Sequence, residues 1–225
     1  MISFDKVIKK FPLGNLGLDE VSFDIEENEF VFLVGPSGAG KTTILELIIR
    51  ELSPSSGTII IDDLDISNNK FKQLIDLRRK IGMIFQDFKI LHDKNIFENV
   101  AISLNIVGFN QDKIKEKVKK TLAFVNLSNK EKVFPSQLSA GELQRVAIAR
   151  ALIGERKIIL ADEPTGNLDP KTSWEIMKIF KKLEGKKTVV FATHNTDIVN
   201  SLQKRVLMLK GGKLIKDLRK GGYEL

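Results

Sequence analysis

The string Gly35-Pro36-Ser37-Gly38-Ala39-Gly40-Lys41-Thr42 constrains this chain more than any other feature. It satisfies Gly-x-x-x-x-Gly-Lys-[Ser/Thr], in which glycines let several backbone N–H groups converge on one anion. The largely apolar run at residues 29–34 precedes it and reads as a buried strand. Residues 41–52 follow, with Ile44, Leu45, Ile48, Ile49 and Leu52 at helical spacing and Ser53-Pro54 as a stop. A helix there adds its positive N-terminal end to the loop. Strand, loop and helix together predict a nucleotide-phosphate site. Lys41 is expected to reach the β- and γ-phosphates, and the Thr42 hydroxyl to ligate Mg²⁺. Ser37, Gly38, Ala39, Gly40 and Thr43 complete the expected cradle.

A second apolar run, residues 157–161, ends in Asp162 and Glu163. Ligands in open α/β sheets sit at the carboxyl ends of strands. Asp162 is therefore expected to hold Mg²⁺ through water, and Glu163 to polarise an attacking water. Taken alone, such an acidic pair is an ordinary loop start. The phosphate loop is what favours catalysis.

The remaining patterning gives an α/β chain. Residues 2–10 and 18–26 alternate as antiparallel strands do, and further strand-like runs lie at 58–61, 81–85, 188–193 and 205–209. Residues 89–150 read as helices only. The expected division is one domain over 1–225, with an ATP-binding core at 1–88 and 151–225 and a helical subdomain at 89–150. In that subdomain Ile114, Val118, Leu122 and Val125 share one helix face. The lysines at 113, 115, 117, 119 and 120 read as its solvated side, because no aromatic residues interleave with them.

Composition excludes several classes. The chain has no cysteine, so a disulfide framework and Cys-ligated metals are ruled out. No apolar run approaches a membrane span and no secretion-signal pattern opens the sequence, so work from outside the bilayer is expected. Lys plus Arg outnumber Asp plus Glu 36 to 29, a net charge of +7. That excess invites a nucleic-acid reading, but its distribution does not support one. Residues 1–170 carry 23 basic and 24 acidic side chains, whereas 171–225 carry 13 and 5. Lys210, Lys213, Lys216, Arg219 and Lys220 crowd the end. This tail reads either as a contact for anionic lipid or acidic partner segments, or as a solvated flexible end.

Leu138-Ser139-Ala140-Gly141-Glu142 precedes a helix, and Ser139 with Glu142 forms a capping box in its own right. The segment also resembles the signature of ABC-type ATPases, usually Leu-Ser-Gly-Gly-Gln. Ala140 and Glu142 depart from that form, and Glu142 places a negative charge near a phosphate site. The continuation through Leu152 fits the family as well. With the phosphate loop, the Phe85-Gln86-Asp87-Phe88 string and Asp162-Glu163-Pro164-Thr165-Gly166-Asn167-Leu168-Asp169, the resemblance spans about residues 1–215. It is strongest to the family's cell-division branch, with lipoprotein-release and macrolide-export ATPases as neighbours.

The resemblance implies an ABC-type P-loop ATPase core, an N-terminal antiparallel β subdomain and an inserted α-helical subdomain. It implies an ATP-dependent head-to-tail homodimer with Mg²⁺ and ATP at its interface. Ser139, Gly141 and Glu142 would then face the partner's nucleotide. Gln86 matches the glutamine that contacts Mg²⁺ and the attacking water, and His194 the switch histidine at the γ-phosphate. Asp169 matches the loop that communicates across the dimer. Phe11 stands where an aromatic ring stacks on adenine, and the lone Tyr223 lies too far along the chain to substitute. His92 and Trp174 match no motif and are read as surface or packing residues. The implied partner is an integral membrane permease, FtsX-like in the cell-division reading, docked around residues 87–91, Ile96 and Phe97. The implied location is cytoplasmic, peripheral on the inner face of the membrane, with no nucleic-acid partner.

Overall fold

The structure is a computed structural model that describes residues 1–221 apart from 13, 69 and 155. Strands β1 (Ile2–Lys10) and β2 (Leu16–Ile25) pair antiparallel and precede β3 (Phe30–Val34) and helix α1 (Lys41–Ile48). Next come β4 (Ser56–Ile61), β5 (Leu64–Asp65), α2 (Leu74–Lys80) and β6 (Ile81–Ile84). A helical stretch follows: α3 (Ile96–Val107), α4 (Gln111–Phe124), a short 3₁₀ turn (Pro135–Gln137) and α5 (Ala140–Leu152). The chain then runs through β7 (Ile158–Asp162), α6 (Pro170–Lys181), β8 (Thr188–Thr193), α7 (Thr196–Leu202), β9 (Arg205–Lys210) and β10 (Lys213–Leu218).

Two sheets result. A four-stranded antiparallel sheet has the order β2-β1-β4-β5. A six-stranded sheet has the order β10-β9-β3-β8-β7-β6, parallel except for β10. Side chains of β3 alternate between two cores, as the two-residue period of a strand requires. Val31 and Leu33 face the core shared with α1 and the antiparallel sheet, whereas Phe30, Phe32 and Val34 face the helical side. There Phe191 lies edge-on to Phe32 and Phe180, with ring centroids 5.4 and 4.9 Å apart, which fastens α6 to the sheet. The expected stripe of Ile114, Val118, Leu122 and Val125 is fully buried in the same core.

Three local expectations need correction. Helix α1 ends at Ile48, not Leu52, before any proline acts. Arg50 adopts left-handed φ (56°), its N–H reaches Leu47 O, and the Glu51 N–H reaches back to Glu46 O. That paired pattern closes the last carbonyls of a helix. Arg50 also donates to Asn68 O at 2.7 Å, which repays an unusual conformation for a side-chain-bearing residue. The lysine-rich tail is not a loose end through residue 218, because β10 pairs antiparallel with β9 as the sheet's edge. The buried Arg205 on β9 holds it there, donating to Asp217 at 2.7 and 2.8 Å and to Glu29 at 3.1 Å. Finally, Ile96 is fully buried, and Ile90 and Phe97 pack against the same core, so three of the expected docking residues serve the interior. Tyr223 lies outside the described residues.

Candidate functional site

The phosphate loop connects the C-terminal end of β3 to the start of α1. Gly40 has φ 107°, and a Cβ there would lie 2.8 Å from both Gly17 O and Leu18 Cδ2. Only glycine meets both demands. Behind the loop, the turn between β9 and β10 supplies a brace: Gly212 N–H donates to Ala39 O at 3.2 Å.

Lys41 is 7% exposed, an unusual place for an ammonium group. Its Nζ donates to Gly35 O at 2.7 Å and Pro36 O at 3.2 Å, and stands 3.6 Å from Glu163 Oε1. The same Glu163 oxygen meets His194 Nδ1 at 2.9 Å. Lys41, Glu163 and His194 therefore share one carboxylate oxygen, brought together from the ends of three adjacent strands, β3, β8 and β7. Glu163 takes a left-handed backbone conformation (φ 45°), and its N–H is tied to Ala192 O on β8. Such strain in a side-chain-bearing residue is characteristic of functional sites.

Next to it, Asp162 Oδ2 accepts the Thr42 hydroxyl at 2.9 Å. Asp162 Oδ1 and Glu163 Oε2 are buried with no hydrogen-bond partner among the described residues. A buried oxygen left without a donor is costly unless a cation or water serves it. These two neighbouring oxygens suit a cation or an ordered water. Burial holds the Asp162 carboxyl above the usual carboxylate range, and the Glu163 charge adds to this. The Thr42 hydroxyl and the Lys41 charge oppose it.

Beside the loop lies a cleft of ≈ 310 Å³ lined by Phe11, Asn15, Leu16, Gly17 and residues 38–43. Phe11 is half-buried and lies so close to Gly17 that a Cβ there would come within 2.6 Å of the ring. The Lys9 ammonium stands 5.5 Å from the ring centre. The ring lines the cleft, with the Lys9 ammonium over it. Asn15, Leu16 and Gly17 carried no sequence signal, and only their closeness to Phe11 in the chain could have suggested them.

Among the described residues, no hydrogen bond or ion pair joins the other expected residues to this group. Gln86 is exposed, two residues past the end of β6, the strand that neighbours β7. Arg150 on α5 grips its loop by donating to Phe88 O at 2.7 Å and Lys89 O at 2.6 Å. Ser139 caps α5, and its N–H and hydroxyl both meet Glu142 Oε2, at 3.0 and 3.1 Å. Those contacts, the Ser139 N–H first, hold the Glu142 carboxyl low, and Lys130 adds to the effect. Gly141 is buried where α5 crosses α6, and a Cβ would collide with Thr172. Asp169 caps α6 by accepting from Thr172 N–H at 3.0 Å. The capping readings of Ser139 and Asp169 are thus real geometry. Trp174 is half-exposed and lines a pocket with Glu163 and His194, a closeness its sequence context did not suggest.

A strand-borne phosphate loop, an acidic pair and a capped second helix on an α/β core define an ABC-type ATPase. The family model for ABC transporters matches residues 18–166, and the chain belongs to that family as an ATP-binding, ATP-hydrolysing subunit. Its relatives include the cell division ATP-binding protein FtsE of Bacillus subtilis (strain 168), 46% identical over 224 residues, 99% of this chain and 98% of that protein. The FtsE proteins of Mycobacterium tuberculosis (strain ATCC 25618 / H37Rv) and Escherichia coli (strain K12) are 40% and 43% identical. They cover 99% and 95% of this chain, and the matches take in 98% and 97% of those proteins. Among solved structures, the dimeric ABC transporter cassette MJ0796 superposes with a TM-score of 0.89 at 35% identity, covering 99% of this chain and 100% of that one. A post-hydrolysis dimer of the same cassette, bound to ADP and Pi, gives 0.89 at 34% identity over the same shares.

The Asp162 environment has a thermodynamic consequence. A carboxyl whose folded pKa is raised destabilises the folded state above that pKa, and the cost fades as pH falls through it. Asp162→Asn should therefore raise the melting temperature of the nucleotide-free protein at pH 7. The gain should shrink as the pH is lowered. An unchanged or lower melting temperature at pH 7 contradicts this account of the site.

Proposed function

We propose that this chain is the ATPase of an FtsE-like cell-division system, closing as an ATP-dependent homodimer beneath an FtsX-like membrane permease that controls cell-wall hydrolases. The observation that carries the dimer is the divided site. Lys41, Thr42, Asp162, Glu163 and His194 converge at one place, whereas Ser139 caps and Gly141 opens a separate helix packed on α6. A second chain, placed head to tail, would bring that helix end to the exposed side of the bound phosphates. The full-length likeness to FtsE proteins supports the cell-division assignment. In this reading residues 1–88 and 151–225 form the ATP-binding core and 89–150 the moving helical subdomain.

Each residue then has a task. Phe11 stacks on adenine, residues 37–43 hold the phosphates, and Lys41 neutralises the β- and γ-phosphate charge. Glu163 Oε1 is fixed by His194, which leaves the orphaned Oε2 to orient and deprotonate water. His194 also meets the γ-phosphate. Thr42, Asp162 and Gln86 suit Mg²⁺, since all three offer oxygen and Asp162 Oδ1 lacks a partner. That ion would offset phosphate charge when bound. Ser139, Gly141, Glu142 and Asp169 belong to the interface with the partner's nucleotide.

In this reading the membrane partner docks in a surface groove. A groove of ≈ 550 Å³ runs between α2 and α3, lined by Leu104, Val107 and Phe109 with Asp76, Arg79, Lys80 and Arg156 on its rim. Ile106 beside it is 78% exposed. No helix among the described residues is long and apolar enough to cross a membrane, and an apolar groove with a charged rim fits a short amphipathic helix of a permease. In this reading the chain works in the cytoplasm, peripheral on the inner face of the membrane. The groove lies at the β6 side of the sheet and β10 at the opposite edge. The lysines of β10 therefore suit protection of an open sheet edge better than a lipid contact on the docked side.

Glu163→Gln should retain ATP binding but lose about a hundredfold or more in phosphate release. Turnover within about threefold of the parent would remove Glu163 from its role. Val107→Glu should abolish co-purification with the detergent-solubilised permease, and Lys216→Glu with Arg219→Glu should leave it intact. The opposite pattern would move the contact to β10, and capture of a lipoprotein-release or macrolide-export permease would replace the cell-division assignment.

A further inference from the structure

The ATPase reading leaves one oddity unexplained. The helix end offered to the partner's phosphate carries a carboxylate, Glu142, and that carboxylate already occupies the donors a phosphate needs. Ser139 gives both its N–H and its hydroxyl to Glu142 Oε2, at 3.0 and 3.1 Å. A full negative charge at a helix N-terminus also cancels the partial positive charge that makes such ends attract anions. As it stands, Glu142 acts as a resident anion.

The other carboxylate oxygen has its own partner. Lys130 Nζ stands 3.2 Å from Glu142 Oε1. Lys130 lies in the connection between α4 and the 3₁₀ turn, and that connection is pinned. The Lys130 N–H donates to Leu127 O, and its carbonyl accepts from Val133 N–H. The next residues are tied to the start of α3, with Phe97 N–H on Glu131 O and Ile96 N–H on Val133 O, both at 2.9 Å. The ammonium therefore approaches from a fixed backbone, on the side of Glu142 away from Ser139.

We propose that Lys130 is a positioning residue for the ATP-driven dimer, which holds and neutralises Glu142 so that Ser139 can release it and donate to the partner's γ-phosphate. The inference rests on the dimer reading above. Without Lys130, Ser139 alone would compensate the carboxylate, and the incoming phosphate would meet an unneutralised charge. At separations of several ångströms in a partly solvated interface, one such charge is worth about a fivefold to tenfold change in affinity. ATP binding to the monomer does not involve this end of α5 and should be unaffected.

The test uses the full-length chain carrying Glu163→Gln, in which hydrolysis does not deplete the dimer. Its dimer dissociation constant is measured by sedimentation with saturating Mg·ATP, alone and with Lys130→Met, Glu142→Gln or both. Lys130→Met should weaken dimerisation about fivefold to tenfold, and Lys130→Arg should restore it. In the Glu142→Gln background the same lysine change should shift the constant by less than about twofold. Equal weakening in both backgrounds, or none in either, overturns the role of Lys130. A Glu163→Gln parent that stays monomeric with ATP overturns the dimer reading, and the inference with it.

Discussion

A nearly buried ammonium group, that of Lys41, is the contact around which this structure is arranged. Burying it unpaired would cost several kcal/mol or more. The fold compensates with two loop carbonyls at 2.7 and 3.2 Å and with the Glu163 carboxylate at 3.6 Å. That arrangement requires the ends of β3 and β7 to meet at one level with β8 between them. The parallel register Ala161 to Phe191 and Phe32 to Phe191 delivers it. The two cores on either face of the sheet keep those strands from shifting, since a slip of one residue would exchange Phe32 and Leu33 between them.

Much of this was legible in the sequence, because the residues that meet phosphate must be particular residues in a particular order. The phosphate loop, Asp162, Glu163 and His194 lie where strand ends place them, and the β1–β2 and β3 patterns read true. Other features depend on contacts between segments far apart in sequence. Helix α1 stops early where Arg50 turns left-handed, and the Arg50 side chain there reaches Asn68, eighteen residues on. Strand β10 carries too many charges to announce itself, and becomes a strand because Arg205 ties Asp217 to the sheet. The Arg150 grip on Phe88 and Lys89 and the Lys130 approach to Glu142 join residues with no recognisable spacing.

The apolar residues after Gln86 show a different limit. Hydrophobicity alone does not distinguish a docking surface from an interior, and Ile90, Ile96 and Phe97 turned out to serve the interior. The exposed apolar groove instead uses the C-terminal half of α3 with α2. Both capping motifs posed the same kind of ambiguity. Ser139 and Asp169 do cap their helices, and capping accounts for both residues without any ligand.

The central claim is that one catalytic site takes its phosphate loop from one chain and its capped helix from another. Mixing two inactive variants tests this directly. Glu163→Gln keeps a usable Ser139, and Ser139→Phe keeps a usable Glu163. Each alone should hydrolyse ATP poorly, while an equimolar mixture should recover roughly a quarter of the parent rate, since about half the dimers are mixed and each of those has one intact site. A mixture no more active than the average of the two separate proteins would contradict the claim.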